Sequence, residues 1–185
     1  MAMLYQNRIP IKVFLLVIVL ALLAFPVAAN AQNDGAERAS AILKNSAGDI
    51  IGFAFFTEDA RGLVHVNVHV KGISPGQHGI HVHAVGMCTP DFLAARGHYN
   101  PLGKEHGLDS PAGPHAGDLP NLTVNEDGVG HLNAKTDRVT VSPGPTTLFD
   151  TDGSALIIHA MPDDQLTQPI GGSGARIACG IIEHA

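Results

Sequence analysis

The stretch Leu63-Val64-His65-Val66-Asn67-Val68-His69-Val70 decides how the chain is built. Its four valines fall on every second residue, and His65, Asn67 and His69 fill the positions between them. Successive side chains of a β-strand point to opposite faces, so this run sets an apolar row against a core and a polar row toward water. Working outward from it, shorter runs with the same character lie at residues 50–57, 79–84, 122–126, 139–141, 155–159 and 176–182, with a turn at Asp127-Gly128. Gly, Pro, Asp and Asn punctuate them, and no stretch after residue 31 carries a helical period. Seven or eight short strands without helices predict an all-β domain, an antiparallel sandwich or flattened barrel. With 185 residues, 45% of them hydrophobic, the chain can fill one such core.

Two segments interrupt the rhythm, 85–120 and 161–175. Both are long for plain connections, and the first concentrates Gly, Pro and His. Long loops on a compact scaffold are where function resides, so the strands are read as the scaffold and these loops as the site.

Residues 1–31 stand apart. Arg8 and Lys12 precede an apolar run from Val13 to Ala24, and Ala29-Asn30-Ala31 supplies a small-x-small cleavage pattern. This predicts a signal peptide over 1–31 and an exported protein beginning near Gln32, with cleavage after Ala29 as the alternative. The apolar run is short for a membrane span and no second one follows, so no membrane association is expected after cleavage. Residues 32–47 are read as an N-terminal tail and first strand region, with 32–39 loose, and 48–185 as the main domain. Export points to the periplasm or the extracellular space.

Losing the leader removes two of the 11 basic residues, leaving nine against 17 acidic ones and a formal charge of −8. Nucleic acid is excluded as a partner, and an anionic substrate would need a local positive field to guide it. The two cysteines, Cys88 and Cys179, would meet an oxidising compartment, where such a pair closes into a disulfide; two free thiols are the alternative. A loop of that size is worth about 4–5 kcal/mol on the chain-entropy model.

His81 and His83 lie two apart on a predicted strand, so both rings leave one face about 7 Å apart, within reach of a single metal ion. Alone, H-x-H is a weak signal. The 85–120 loop then adds Gly97-His98-Tyr99-Asn100-Pro101, Glu105-His106-Gly107 and Pro114-His115-Ala116-Gly117-Asp118. GIHVH, GHYNP with a histidine eight residues on, PHAGDLPNLTV, LIIH and GGSGARIACGII together, in this order from about residue 48 to the end, resemble the copper/zinc superoxide dismutases. The spacing from His83 to Cys88 is most similar to the bacterial exported members.

The resemblance implies an eight-stranded antiparallel Greek-key β-sandwich or flattened barrel, immunoglobulin-like, with two long functional loops. It implies copper on His81, His83, His98 and His159, and zinc on His98, His106, His115 and Asp118. The ligand chemistry agrees, since imidazole suits copper and a three-histidine, one-carboxylate set suits tetrahedral zinc. His98 would bridge both ions. Asp163, or less simply its neighbour Asp164, would link His81 to His106, and His78 would hold a loop without touching metal. Arg176 would be the active-site arginine, drawing in a small anion. Cys88 bonded to Cys179 would anchor the metal loop to the Arg176 strand.

The activity implied is disproportionation of two superoxide anions to dioxygen and hydrogen peroxide, an antioxidant defence. Copper would cycle between Cu(II) and Cu(I), His98 would serve as proton store, and zinc would stay structural. Residues 163–175 hold no lysine or glutamate, unlike the guiding loop of many eukaryotic relatives, which puts steering from there in doubt. Arg96 and Lys104 are candidate substitutes. His65, His69, His131 and His184 are read as surface groups, and Asn121-Leu122-Thr123 as a glycosylation triplet relevant only in a eukaryotic secretory route. Two rival readings remain: a metal storage or delivery protein, which should lack a ligand or the arginine, and an adhesion domain, which should hold no metal. Relatives occur as monomers and homodimers, and no motif decides between them.

Overall fold

The valines of the opening stretch do share one face: Val64, Val66 and Val68 are fully buried and Val70 nearly so, while His65, Asn67 and His69 point outward. Each buried valine contributes about 1.5 kcal/mol or more by leaving water, which fixes the register of its strand. The structure, a computed structural model, describes residues 36–185. The expected signal peptide and its cleavage site lie outside the described residues.

Ten strands follow in order: β1 (Glu37–Asn45), β2 (Ile50–Glu58), β3 (Val64–Lys71), β4 (Gly76–His78), β5 (Ile80–His83), β6 (Leu122–Val124), β7 (Val129–Thr136), β8 (Ala155–His159), β9 (Arg176–Ile181) and β10 (Glu183–His184). A single 3-10 turn, Phe92–Ala95, lies between β5 and β6. Every ladder is antiparallel, in the spatial order β4-β6-β7-β3-β2-β1-β9-β8-β5, with the two-residue β10 added on β1. The two edges of this sheet, β4 and β5, are consecutive in the chain with Gly79 alone between them. The sheet therefore curls back on itself into a nearly closed barrel. The long steps from β3 to β4, from β5 to β6 and from β7 to β8 give the Greek-key connectivity. With β4 and β5 counted as one strand broken at Gly79, and the two-residue β10 left out, eight strands make the barrel.

The core fills the barrel with Leu43, Ala54, Phe56, the β3 valines, Ile80, Val82, Leu122, Leu132, Leu156 and Ile158. Facing pairs such as Phe56 with Val66, and Val66 with Ala134, are in register across adjacent strands.

Three local expectations are corrected. Residues 139–141 form no strand, only an isolated bridge between Thr140 and Thr147. Val139 and Val141 are buried as their alternation implies, but the Glu58 carboxylate accepts the Val141 and Ser142 amides at 2.7 and 2.8 Å, replacing a ladder. Residues 37–39, expected to be loose, belong to β1, where Ala39 is buried and pairs with Phe56. The strand expected over 122–126 stops at Val124, because the turn closed by Gly128 N donating to Asn125 O already occupies its end.

The edge of β5 is not left open. Val82 N donates to Gly117 O, Tyr99 N to Val82 O and Ala84 N to Gly97 O, at 2.8–3.0 Å. The long loop thus pairs with the free edge, which both protects that edge and lays His98 and Asp118 beside the strand. Among the described residues no helix is long and apolar enough to cross a membrane.

Candidate metal centre

On β5, Ile80 and Val82 face the core while His81 and His83 leave the opposite side, yet all four are buried. The two loops cover that side. Each ring there is aimed by one hydrogen bond and leaves its other nitrogen bare. His81 Nε2 meets Asp163 Oδ2 at 2.6 Å, His83 Nδ1 donates to Arg96 O at 2.8 Å, and His159 Nδ1 donates to Gly174 O at 3.1 Å. His81 Nδ1, His83 Nε2, His159 Nε2 and also His98 Nε2 are buried without any hydrogen-bond partner. One ligand atom from each of these four residues lies within 4.8 Å of the others. A buried polar atom left unpaired costs about 1–3 kcal/mol, and four converging lone pairs match the demand of one cation.

A second group adjoins the first. The Nδ1 atoms of His98, His106 and His115 stand 2.9, 3.2 and 3.4 Å from Asp118 Oδ1. Ligands of a tetrahedral zinc at about 2.0–2.1 Å lie roughly 3.3 Å apart, so this set fits zinc closely. Asp118 Oδ2 is turned away and accepts the Gly107 and His115 amides at 2.8 and 2.9 Å, which fixes the carboxylate. His98 belongs to both groups, with Nδ1 in one and Nε2 in the other.

Burial sets the protonation of the first group. It pulls His81 down to about 3 and His159 to about 4, and takes His83 well below its ordinary range, with the neighbouring rings adding to the effect. These rings are neutral and able to bind metal. His106 goes the other way: burial pulls it down, but hydrogen bonds to Asp118 and Asp163 prevail and push it up to about 9. For Asp118 and Asp163, burial acts upward and is outweighed by hydrogen bonds from His106 and from His98 or His81, so both stay well below the usual carboxylate range.

Asp163 Oδ1 lies 3.0 Å from His106 Nε2, so this carboxylate spans His81 and His106. Asp164 does not compete for that place; it is exposed and receives the Leu166 and Thr167 amides. Arg176 opens β9, with Nη1 donating to Phe92 O and Nη2 to Arg96 O, each at 2.5 Å. Its charge is near enough to help depress both His83 and His159. A disulfide joins Cys88 to Cys179, 5.8 Å apart at Cα, and ties the loop to β9 three residues beyond Arg176. His78 is buried and holds His159 O and Ser74 O with its two ring nitrogens, at 2.8 and 2.9 Å.

Sequence reasoning missed the side chains that sew the two loops together. Asn121 Nδ2 donates to Asp163 O and its Oδ1 accepts Asp163 N, both at 2.8 Å. Gln168 clamps the His106 backbone in the same reciprocal way. Arg138 Nη2 donates to Asp118 O. Amides and an arginine in loops carry no motif, so only their partners identify them. Asn121, flagged as part of a glycosylation triplet, is half-buried and engaged in this clamp.

Residues 50–182 match the family model for copper/zinc superoxide dismutase (SODC). The chain belongs to the copper/zinc superoxide dismutase family. It is 41% identical over 148 residues to superoxide dismutase [Cu-Zn] 2 of Aquifex aeolicus, covering 78% of this chain and 86% of that one. It is equally similar, 41% over 143 residues, to the superoxide dismutase-like protein YojM of Bacillus subtilis, covering 76% and 73%. Among solved structures, a superoxide dismutase-like protein from Bacillus subtilis superposes with a TM-score of 0.73 at 40% identity, covering 77% of this chain and 96% of that one. The clock protein EA4 gives 0.71 at 31% identity, covering 80% and 94%. Family membership and the two histidine-rich groups make copper and zinc the cofactors.

Proposed function

We propose that this member of the copper/zinc superoxide dismutase family is an exported enzyme that disproportionates superoxide: two anions and two protons yield one dioxygen and one hydrogen peroxide. The observation that carries the reading is the shared ring of His98, whose two nitrogens serve two adjoining ligand groups. His81, His83, His98 and His159 would hold copper, and His98, His106, His115 and Asp118 zinc. When bound, copper supplies reversible one-electron chemistry, and zinc supplies a redox-inert charge that holds the ligands in place.

The residues divide the remaining work. The Arg176 guanidinium, fixed by two backbone carbonyls, presents its charge to an approaching anion and orients it. His98 takes up a proton at Nε2 as the first superoxide departs as dioxygen. It returns that proton to the second superoxide, which with one more proton from water leaves as hydrogen peroxide. His98 Nδ1 faces Asp118 Oδ1 at 2.9 Å and would be held with it on zinc, which leaves Nε2 as the nitrogen that takes up and returns the proton. Backbone bonds to His83 and His159 keep those rings from swinging, and Asp163 couples the His81 and His106 orientations.

The disulfide supports export, as does the leader pattern read from residues 1–31. A storage protein would be expected to lack a ligand or Arg176, and an adhesion domain would not bury unpaired imidazole nitrogens. The test is copper and zinc content per chain with the rate of superoxide loss, measured on the disulfide-bonded exported form. One copper, one zinc and fast removal are expected; a fully loaded protein that does not speed superoxide loss would overturn the enzymatic reading.

A further inference from the structure

Far along the sheet from the ligand groups, the outer face of the barrel carries a second meeting of imidazoles. On β3, His69 pairs in register with Phe53 of β2 on one side and with His131 of β7 on the other, and Thr123 of β6 lies opposite His131. The sequence places these histidines 62 residues apart in runs that share no motif. In the fold their Nδ1 atoms stand 2.7 Å apart, with ring centroids at 4.5 Å and planes nearly perpendicular. Phe53 packs on the other side of His69 at 5.5 Å and limits its rotation.

From this juxtaposition we infer that His69 and His131 form an additional, surface-exposed binding site for a borderline divalent cation such as nickel(II), copper(II) or zinc(II). Two nitrogens bound to one ion at about 2.0–2.1 Å and at right angles lie roughly 2.9 Å apart, so the observed 2.7 Å serves once each ring turns from its partner toward a common ion. Each Nδ1 offers a lone pair to an ion when its ring carries the proton on Nε2. Asn67 and Asn133 lie in register one pair along the same face, and water completes the shell. Both rings are exposed, so an ion exchanges freely, unlike one in the buried groups. Lys71 on the same face opposes binding, while the acidic body as a whole favours it. The backbones that carry the two rings are fixed, because both strands lie inside the sheet.

The test is nickel(II) alone, titrated into the full copper- and zinc-loaded protein and followed by calorimetry and by paramagnetic broadening of the histidine Cε1 protons. One further equivalent is expected, with broadening centred on His69 and His131. Replacing either partner, His69→Asn or His131→Asn, should weaken that equivalent roughly a hundredfold, since the second donor no longer acts at high effective concentration. Retained copper and zinc content reports that the variants fold, and the broadening pattern of the unsubstituted protein locates the site without them. No further equivalent, broadening elsewhere, or binding by both variants as tight as by the unsubstituted protein would overturn the proposal. None of these readouts depends on superoxide chemistry.

Discussion

His83 and Arg176 share one acceptor, the carbonyl oxygen of Arg96, at 2.8 Å from the ring and 2.5 Å from the guanidinium. A single peptide group thus orients one proposed copper ligand and the proposed anion guide together. Arg96 reaches this position with φ 64° and ψ −150°, a backbone conformation that favours glycine. Holding a non-glycine residue there costs about 1–3 kcal/mol.

Arg96→Gly should therefore raise the melting temperature or leave it unchanged, although glycine at most interior positions destabilises. Arg96 is exposed, its carbonyl is the acceptor for Arg176, and a single solvated charge beside an anion's route is worth a fraction of a kcal/mol in water. The rate at low salt should fall about twofold, and the difference should vanish at high salt. A variant that melts lower and keeps the low-salt rate would contradict both parts.

Arg176→Ala removes the guidance and the fork itself. A loss of roughly 10²-fold in the superoxide rate is expected, with copper and zinc content unchanged. Arg176→Lys should recover only part of it, because an ammonium cannot satisfy both carbonyls in one plane. Stopped-flow rates at several salt concentrations check this, and a flattened salt dependence in the alanine variant is required.

Asp163→Asn keeps the shape but cannot accept from both His81 Nε2 and His106 Nε2. Zinc affinity should fall roughly 10- to 100-fold, measured by competition with a chelator. Gly171→Ala should damage the same link by a different route. Gly171 has φ 63°, and a Cβ there would sit 1.7 Å from Asp163 Oδ1. Unchanged zinc affinity in both variants would remove Asp163 from its assigned role.

The metal-free protein should show a stability maximum near neutral pH. His81, His83 and His159 have lowered folded values, so their contribution is complete above about 6.5 and is lost as pH falls toward 4 and 3. His106 has a raised value of about 9, so its contribution is complete below about 6.5 and is lost as pH rises through 9. Each fully buried ring can contribute up to about 1.4 kcal/mol per pH unit. Urea midpoints from pH 5 to 10 check this, and a flat profile would sink it. Zinc affinity should rise with pH up to about 9, because His106 must lose its proton to bind.

The all-β class and the residues proposed for the metal centre were legible in the chain. Period-two valines mark a strand with one face on a core, and GIHVH, GHYNP and PHAGD carry imidazoles and a carboxylate in the order the family resemblance assigns to metal. Such patterns are legible because they record local geometry: neighbouring positions on a strand, or residues within one loop. Groups that meet through space became visible only in the fold. Asp163 rather than Asp164 faces the rings, Asn121 and Gln168 clamp distant backbones, Glu58 replaces a strand ladder at Val141, and His69 finds His131 across two strands. Each depends on which strands become neighbours. That is fixed by closure of the whole barrel around its core, a collective property no short run of residues carries.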